Sequence, residues 1–329
     1  MNLEKNRNTI SELVVHLKNG DRFALARALT IIESNKQNDR EKAMKIIESC
    51  WQHNSDSWRL GITGPPGVGK STFIDALGSF ALTKGKKIAI LTIDPSSSIS
   101  FGSILGDKTR METISKHPDV FIRPSPNQSK LGGIQERTAE SIILCEAAGF
   151  DFIIVETVGV GQSEIEVRQL VDCMTILLLP NSGDELQGIK RGIMELADIF
   201  IVHKAEEDNK QQVKLSINQL KNAIHIQRQK QSTWIAPVLK ISSLNKTGIQ
   251  DYYTHLINYF DYIKNNDYKA NTRAKQYVNQ IDTYINNMIS IHYKSLISDK
   301  VTSLNSEIIE GINSPLTIAD RLFKEAIKK

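Results

Sequence analysis

Apolar and polar positions follow different periods in three successive parts of the chain. Up to residue 55, apolar residues recur at helical spacing, which predicts short amphipathic helices. From residue 56 to 250, continuous apolar runs alternate with amphipathic stretches, a pattern typical of parallel strands covered by helices on both faces. From residue 251 to 329, apolar stripes at helical spacing return. The sequence therefore predicts an α/β protein with a mostly parallel sheet flanked by helices, and with helical extensions at both ends.

The continuous apolar runs of the middle part define the predicted strands. They are Arg59–Thr63, Ile88–Ile93, Val120–Arg123, Phe152–Val155, Met174–Leu179, Ile199–Val202 and Ala236–Ile241. The helical patterns predict helices at Ile10–Leu17, Phe23–Glu33, Glu41–Cys50, Gly133–Ala148 and Gly188–Leu196, with further helices from Tyr252 onward and a last one beginning at Ser314-Pro315. Because these strands run in parallel, their carboxyl ends meet at one edge of the sheet, where ligands of such folds bind.

A glycine-rich loop joins the first predicted strand to a helix. It reads Gly64-Pro65-Pro66-Gly67-Val68-Gly69-Lys70-Ser71 and continues into a helical pattern at Thr72. Strand, loop and helix in this order are the context of a Walker A phosphate-binding loop, whose backbone N–H groups surround the phosphates. We expect Lys70 to contact the β- and γ-phosphates and Ser71 to ligate Mg²⁺. The motif predicts a site for a nucleoside triphosphate.

Two further strands carry a carboxylate to the same edge. Asp94 follows Ile88–Ile93, and Glu156 follows Phe152–Val155 at the Walker B position, in place of the commoner aspartate. Either carboxylate can hold Mg²⁺ or polarise the attacking water, although Asp94 can also simply cap a turn with Pro95. Gly159 lies three residues after Glu156, where its N–H is placed to contact the γ-phosphate.

The last two strand ends match the positions that recognise the base in guanine-nucleotide proteins. The sixth strand is followed by His203-Lys204-Ala205-Glu206, and the seventh by Ser242-Ser243-Leu244. In guanine-specific sites the first pattern is Asn-Lys-x-Asp, whose carboxylate accepts hydrogen bonds from guanine N1 and N2. A buried site of this kind rejects adenine because its acceptors would remain unpaired. We expect both segments to contact the nucleotide.

Composition narrows the class of protein and its partners. The formal net charge is +4 and no long basic run occurs, which argues against nucleic acid as a partner. The three cysteines are far apart, which favours buried structural thiols and a reducing compartment. The first residues contain no apolar signal segment, and no apolar run is long enough to span a bilayer. We therefore expect a cytoplasmic protein that has no membrane partner.

With these motifs identified, the sequence resembles the MeaB/ArgK family of methylmalonyl-CoA mutase-associated GTPases, within the metal-chaperone and signal-recognition group of P-loop proteins. The resemblance covers about residues 20 to 260. The stretches that carry it are 64–72, Asp94-Pro95-Ser96-Ser97, 102–111 (GSILGDKTRM), 156–164 (ETVGVGQSE) and 183–190 (GDELQGIK).

This resemblance implies a GTPase that escorts an adenosylcobalamin-dependent acyl-CoA mutase, gates cofactor loading and protects the mutase. It implies GTP, GDP and Mg²⁺ as ligands, with Asp94, Asp107 and Glu156 around the metal and the attacking water. Asp107 lies in the polar segment 100–111, which we expect to be a nucleotide-sensing switch. Residues 180–190 are expected to form an extra switch that faces the mutase, and the C-terminal helices are expected to form a homodimer.

One departure from the family pattern concerns the base. His203 replaces the asparagine whose amide ties the base loop together and contacts the purine, and Glu206 places the carboxylate on a longer arm. We therefore expect a preference for GTP with looser discrimination than in the family, and we expect His203 to lack that tie.

Three alternatives remain open at this point. A P-loop kinase that phosphorylates a small metabolite would use Asp94 as its catalytic base. A metal-delivery GTPase would need a cluster of cysteines and histidines, whereas His117, His203 and His225 are scattered. A protein that binds nucleotide without hydrolysing it is supported only by the substitutions at residues 203 and 206.

Overall fold

The computed structural model describes residues 9–34, 36–52, 55–93, 111–124, 134–157, 163–180, 191–227, 234–301 and 313–327. Its centre is a seven-stranded sheet in which every described strand pairing is parallel. The strands are β1 (Trp58–Thr63), β2 (Ile88–Ile93), β3 (Val120–Pro124), β4 (Phe152–Thr157), β5 (Cys173–Leu178), β6 (Ile199–His203) and β7 (Val238–Ile241). Their order across the sheet is β3-β2-β4-β1-β5-β6-β7.

Helices cover the sheet and extend beyond it. They are α1 (Ile10–Lys18), α2 (Arg22–Glu33), α3 (Gln37–Cys50), α4 (Lys70–Thr83), α5 (Ile134–Ala147), α6 (Ser163–Arg168), α7 (Arg191–Met194), α8 (Lys210–Gln227), α9 (Ile249–Asn265), α10 (Tyr268–Val301) and α11 (Pro315–Ile327). A 3₁₀ turn at Glu207–Asn209 precedes α8.

The central strands are buried on both faces, as their continuous apolar runs predicted. Strands β1, β2 and β4 lie side by side, and Leu60, Ile90 and Ile154 on one of their faces are fully buried. That face packs against α4 and α9. On the opposite face of the sheet, β2 and β4 pack against the N-terminal helices and α5, and β5 and β6 pack against α8. Two helix-covered faces are what such runs require. The predicted parallel α/β fold is confirmed.

Capping side chains set where the N-terminal helices α1 and α2 begin. Thr9 caps α1 by accepting a hydrogen bond from the N–H of Glu12, whose carboxylate accepts one in return from the N–H of Thr9, which is a capping box. Asp21 caps α2 by accepting a hydrogen bond from the N–H of Phe23 at 2.8 Å. Apolar residues of these helices, including Leu25 and Leu29, join one core with the sheet.

Several predicted boundaries differ from the observed ones. Helix α3 begins at Gln37, four residues before the predicted start at Glu41. Strand β7 begins at Val238 rather than Ala236, because Pro237 has no N–H to donate to a neighbouring strand. Helix α8 was not predicted, since its buried residues form only a narrow stripe in a polar sequence. The predicted helix at residues 188–196 is described only from Arg191 to Met194.

The first helix of the C-terminal part belongs to the core beside the sheet. The rings of Phe260 on α9 and Trp58 on β1 stack with centroids 4.5 Å apart. The hydroxyl of Tyr252 is hydrogen-bonded to that of Thr175 on β5 at 2.8 Å. The predicted boundary between residues 250 and 251 therefore falls inside a helix that packs on the sheet. The division into three parts itself stays a prediction.

A buried group of charges, which we call the basal ion network, attaches α10 to the sheet. It consists of Arg59, Glu146, Asp172 and Arg273. Arg59 donates to both oxygens of Glu146 at 2.8 and 2.9 Å, and Arg273 donates to both oxygens of Asp172 at 2.8 and 2.7 Å. Arg59 and Asp172 lie at the amino-terminal edge of the sheet, opposite the phosphate loop.

Two smaller expectations can be compared with the structure. Cys50, Cys145 and Cys173 are all free and buried, as the sequence suggested. Within the described ranges, every helix is either too short or too polar to cross a bilayer.

Candidate functional site

The phosphate loop leaves β1 and enters α4 through three glycines with positive φ. Gly64, Gly67 and Gly69 have φ angles of 151°, 76° and 97°. A Cβ on Gly64 would lie 2.5 Å from the carbonyl oxygen of Leu177, and a Cβ on Gly69 would lie 2.7 Å from Cε1 of His203. Glycine is therefore required at both positions by backbone conformation and by close packing. Gly67 has open space around the same position.

Lys70 closes this loop from inside. Its ammonium donates to the carbonyl oxygens of Gly64 at 2.7 Å and Pro65 at 3.2 Å. The side chain is buried, and this burial lowers the pKa of Lys70, while the charges of Glu156 and Glu164 act in the opposite direction. No side chain caps the start of α4, because its N-cap is Gly69. Helix amides and a lysine thus converge where a phosphate chain can bind.

Ser71 and Glu156 lie together beside the loop. The Ser71 hydroxyl donates to Oε1 of Glu156 at 3.3 Å. Glu156 is buried near the end of β4, opposite Ile62 of β1 in the parallel register. One residue further, the hydroxyl of Thr157 donates to that of Thr63 at 2.7 Å, which ties the ends of the two strands. The structure therefore places Glu156 beside the phosphate loop, and its role at the metal stays a prediction.

This pair fits a magnesium ion. Mg²⁺ prefers hard oxygen ligands and is usually held by one or two protein groups together with phosphates and waters. The hydroxyl of Ser71 and the carboxylate of Glu156 supply two such oxygens at hydrogen-bond distance. The described ranges contain no group of three or more histidine, cysteine, aspartate or glutamate side chains arranged to hold a metal. The donor set therefore suits Mg²⁺ carried in with a nucleotide.

Several predicted site residues fall outside the residues that the structure describes. They are Asp94, Asp107 and Gly159, together with residues 181–190 of the predicted extra switch. The strand that leads to Asp94 is described up to Ile93, which pairs with Thr157 in the register of β2 and β4. The roles of these residues stay predictions.

His203 joins the phosphate loop to residues 242–244, the segment after β7 that is predicted to bind the base and that we call the base loop. Its Nδ1 lies 2.6 Å from the carbonyl oxygen of Val68, and its Nε2 lies 2.7 Å from Oγ of Ser243. Because a carbonyl oxygen only accepts, Nδ1 carries the proton. Burial lowers the pKa of His203, which favours the neutral ring, and in this tautomer Nε2 accepts from the Ser243 hydroxyl.

This geometry corrects one expectation. We expected His203 to lose the tie that the family asparagine makes, whereas the imidazole connects the two loops directly. Both ring nitrogens are used in doing so, so the side chain has no donor left for a purine. His203 therefore keeps a tie between the two loops, and its contact with the nucleotide stays a prediction.

Glu206 is held in position by the other serine of the base loop. The Ser242 hydroxyl donates to Oε1 of Glu206 at 2.7 Å. The second carboxylate oxygen makes no hydrogen bond to any described residue, and the side chain is half-buried. The N–H of Ala205 donates to the carbonyl of Ile241 at 3.1 Å, which holds the two base segments side by side.

Two other predicted base residues lie nearby on the surface. Lys204 has a φ of 55°, and its Cε lies 3.8 Å from where a Cβ on Gly69 would be, so its side chain follows the phosphate loop. Leu244 is 78% exposed.

Sequence reasoning missed Glu164, which is fully buried at the start of α6 and contributes to the electrostatic environment of Lys70. The available signal was an acidic residue at the end of the stretch 156–164, eight positions after Glu156.

Strand, glycine loop, buried lysine and a serine–carboxylate pair define a P-loop nucleotide-binding protein. The sequence profile of the family described as "Methylmalonyl Co-A mutase-associated GTPase MeaB" matches residues 25–297. The chain therefore belongs to the MeaB family of GTPases, and the GTPase class expected from its sequence is confirmed.

Individual relatives agree with this assignment. GTPase ArgK of Escherichia coli is 42% identical over 254 residues, which are 77% of each chain. The mouse protein named methylmalonic aciduria type A homolog, mitochondrial, is 34% identical over 98% of this chain and 80% of its own length. A crystal structure described as an LAO/AO transport system kinase matches with a TM-score of 0.75 and 31% identity over 99% of both chains.

The packing of Gly69 gives a test of the loop. We expect Gly69→Ala to lower nucleotide affinity at least tenfold, because the new Cβ would displace the His203 ring. Gly85→Ala is the matched control, since Gly85 has a φ of 77° and open space around its Cβ position. Each variant should lose about 1–2 kcal/mol of stability from backbone strain. Titration with a fluorescent guanine nucleotide measures the affinities, and equal affinity in the two variants would contradict the expectation.

Proposed function

We propose that this chain hydrolyses GTP in the cytoplasm and escorts an adenosylcobalamin-dependent acyl-CoA mutase, gating cofactor loading and protecting the mutase. The observation that carries the proposal is the convergence of Lys70, Ser71 and Glu156 on one loop, with a base-side carboxylate across the same edge. The family description and the name of the mouse relative support the mutase as the partner.

The choice of guanine is assigned to Glu206. Guanine presents N–H groups at N1 and N2, and a carboxylate accepts both, whereas adenine has no matching donors. Ser242 occupies one oxygen of Glu206 and orients the carboxylate. His203 adds no purine contact, because both of its nitrogens are engaged within the protein. We therefore propose that GTP is preferred, with weaker purine binding than an asparagine would give.

Hydrolysis requires positive charge beside the γ-phosphate and a water molecule positioned to attack it. Ser71 and Glu156 would hold Mg²⁺ together with the predicted ligands Asp94 and Asp107. When bound, the ion neutralises charge on the phosphate oxygens. Lys70 exchanges its loop carbonyls for phosphate oxygens and stabilises the charge that develops in the transition state. Asp94 or Glu156 orients the attacking water, and Gly159 contacts the γ-phosphate.

Basal hydrolysis is expected to be slow. The sequence shows no convincing arginine finger. Among the described residues, Arg59, Arg168 and Arg273 are held by carboxylates at the amino-terminal edge of the sheet, and Arg123 is held by Glu33. In other GTPases, an arginine that stabilises the charge of the transition state raises turnover by several orders of magnitude. We propose that binding of the mutase supplies the acceleration.

Homodimerisation through the C-terminal helices is part of the same proposal. Helix α10 exposes apolar side chains on a stripe of helical spacing: Val278, Ile281, Ile285, Met288 and Ile289. A contiguous exposed apolar surface of this kind is typical of a protein–protein contact. A sedimentation experiment that finds only monomers at micromolar concentration would oppose it.

The role of Glu206 is testable with two substitutions. We expect Glu206→Gln to reduce the preference for GTP over ATP at least tenfold, because the amide accepts fewer hydrogen bonds and its N–H₂ opposes the guanine donors. Glu206→Asp keeps the carboxylate and should keep most of the preference. Calorimetric affinities for GTP and ATP with Mg²⁺ provide the measurement. Equal affinities for the two nucleotides in the unmodified chain would defeat the assignment.

The chaperone role is tested by turnover. We expect free phosphate release from GTP to rise at least tenfold when a purified adenosylcobalamin-dependent acyl-CoA mutase is added, and Lys70→Ala to abolish release with and without it. Unchanged turnover, together with no complex on gel filtration, would count against the role. Transfer of the phosphoryl group to a small metabolite instead of water would favour the kinase alternative, which the name of the matching crystal structure raises.

A further inference from the structure

A cavity lies at the edge of the sheet opposite the phosphate loop. Its volume is about 260 Å³, and its lining includes Arg168, Asp198, Trp234, Tyr259, Tyr262 and Lys269. These residues come from the end of α6, the start of β6, the segment before β7, helix α9 and the first turn of α10. Since β1 has six residues, the two edges are about 20 Å apart. The cavity is therefore separate from the nucleotide site.

The carboxylates of this cavity are already paired within the protein. Asp198 accepts from Nη1 of Arg168 at 2.7 Å and from the N–H of Met174 at 2.8 Å. Asp172, which also lines the cavity, accepts from Arg273 in the basal ion network. Both carboxylates are thus engaged by arginines, and the charge of Asp172 also acts on Lys269 without a direct ion pair.

Lys269 is the cavity cation that makes no direct contact with a carboxylate. Its side chain is half-buried at the cavity, and it makes no ion pair or hydrogen bond with any residue that the structure describes. Burial, together with the nearby charges of Arg273 and Arg59, lowers the pKa of Lys269 to about 8, while the charges of Asp172 and Asp56 act in the opposite direction. The ammonium is thus charged at neutral pH and available to an anion.

The walls of the cavity are aromatic and fixed. The Trp234 ring centroid lies 5.0 Å from that of Tyr259 and 5.4 Å from that of Tyr262. The indole N–H donates to the carbonyl of Asp198 at 2.9 Å, and the Tyr259 hydroxyl donates to the carbonyl of Asp172 at 3.1 Å. Because backbone acceptors hold these polar groups, the rings offer apolar surface to a ligand.

We propose that this cavity binds a small organic carboxylate, whose anionic group pairs with Lys269 and whose flat or short apolar body lies against Trp234 and Tyr262. The volume limits the ligand to about one ring or a short acyl chain. The ligand bridges α9, the first turn of α10 and the segment before β7, so its binding stabilises the attachment of α10. The inference does not depend on the proposed GTPase role.

The test uses benzoate and hexanoate as probes and benzamide as the uncharged control. The full chain is saturated with GDP and Mg²⁺, which removes the phosphate loop as a competing anion site. We expect both carboxylates to bind at millimolar concentration, to change tryptophan fluorescence and to raise the melting temperature. Benzamide should bind at least tenfold more weakly than benzoate. Affinity for benzoate should fall about tenfold between pH 7 and pH 9.5 as Lys269 loses its charge.

Three variants make the result specific. Lys269→Met should weaken benzoate binding at least tenfold, and Lys269→Arg should retain it. Lys264→Met is the matched control, since Lys264 is an exposed lysine nearby whose only described ion pair is with Asp56 at 3.7 Å. Lys269→Met removes a half-buried charge that makes no direct ion pair or hydrogen bond, so we expect its melting temperature to be unchanged or higher. That measurement verifies that the variant is folded. Equal benzoate affinity in Lys269→Met, or no binding of either carboxylate at about 50 mM, would overturn the proposal.

Discussion

The site depends on how closely the phosphate loop packs against the ends of β5 and β6. Gly64 lies against the backbone of Leu177, and Gly69 lies against the His203 ring, with no room for a Cβ at either position. This contact holds the loop in its left-handed turns and thereby sets where α4 begins. Lys70 and Ser71 occupy their places because they are the first two residues of that helix. Phosphate binding therefore follows from backbone packing as much as from side-chain chemistry.

Strand order brings the two halves of the site together. β1 lies between β4 and β5, so the loop that follows β1 meets Glu156 on one side and approaches the base segments of β6 and β7 on the other. His203 connects the two halves. Its Nδ1 is hydrogen-bonded to the carbonyl of Val68, and its Nε2 is hydrogen-bonded to the hydroxyl of Ser243. The imidazole is therefore the direct contact between the phosphate loop and residues 242–244.

The opposite edge of the sheet is organised by buried charge. The basal ion network joins β1, α5, the start of β5 and α10, and all four of its side chains are buried. Removing one partner from a buried pair of this kind typically costs about 3–5 kcal/mol, because the other charge is left uncompensated. The position of α10, and with it the exposed apolar stripe, therefore depends on residues far from the nucleotide. The cavity at Lys269 lies beside this attachment.

Local patterns in the sequence determined the parallel sheet, the phosphate loop, the carboxylate of Glu156 and the two base segments. Each of these depends on neighbours in sequence: continuous apolar runs, glycines at set spacing, and polar residues directly after strands. The role of His203 was decided only by tertiary structure, because its partners Val68 and Ser243 are 135 and 40 residues away along the chain. The placement of α9 in the core, the burial of Glu164 and the basal ion network have the same origin. These features are stabilised by contacts between segments that are distant in sequence, and a local sequence pattern carries no information about such contacts.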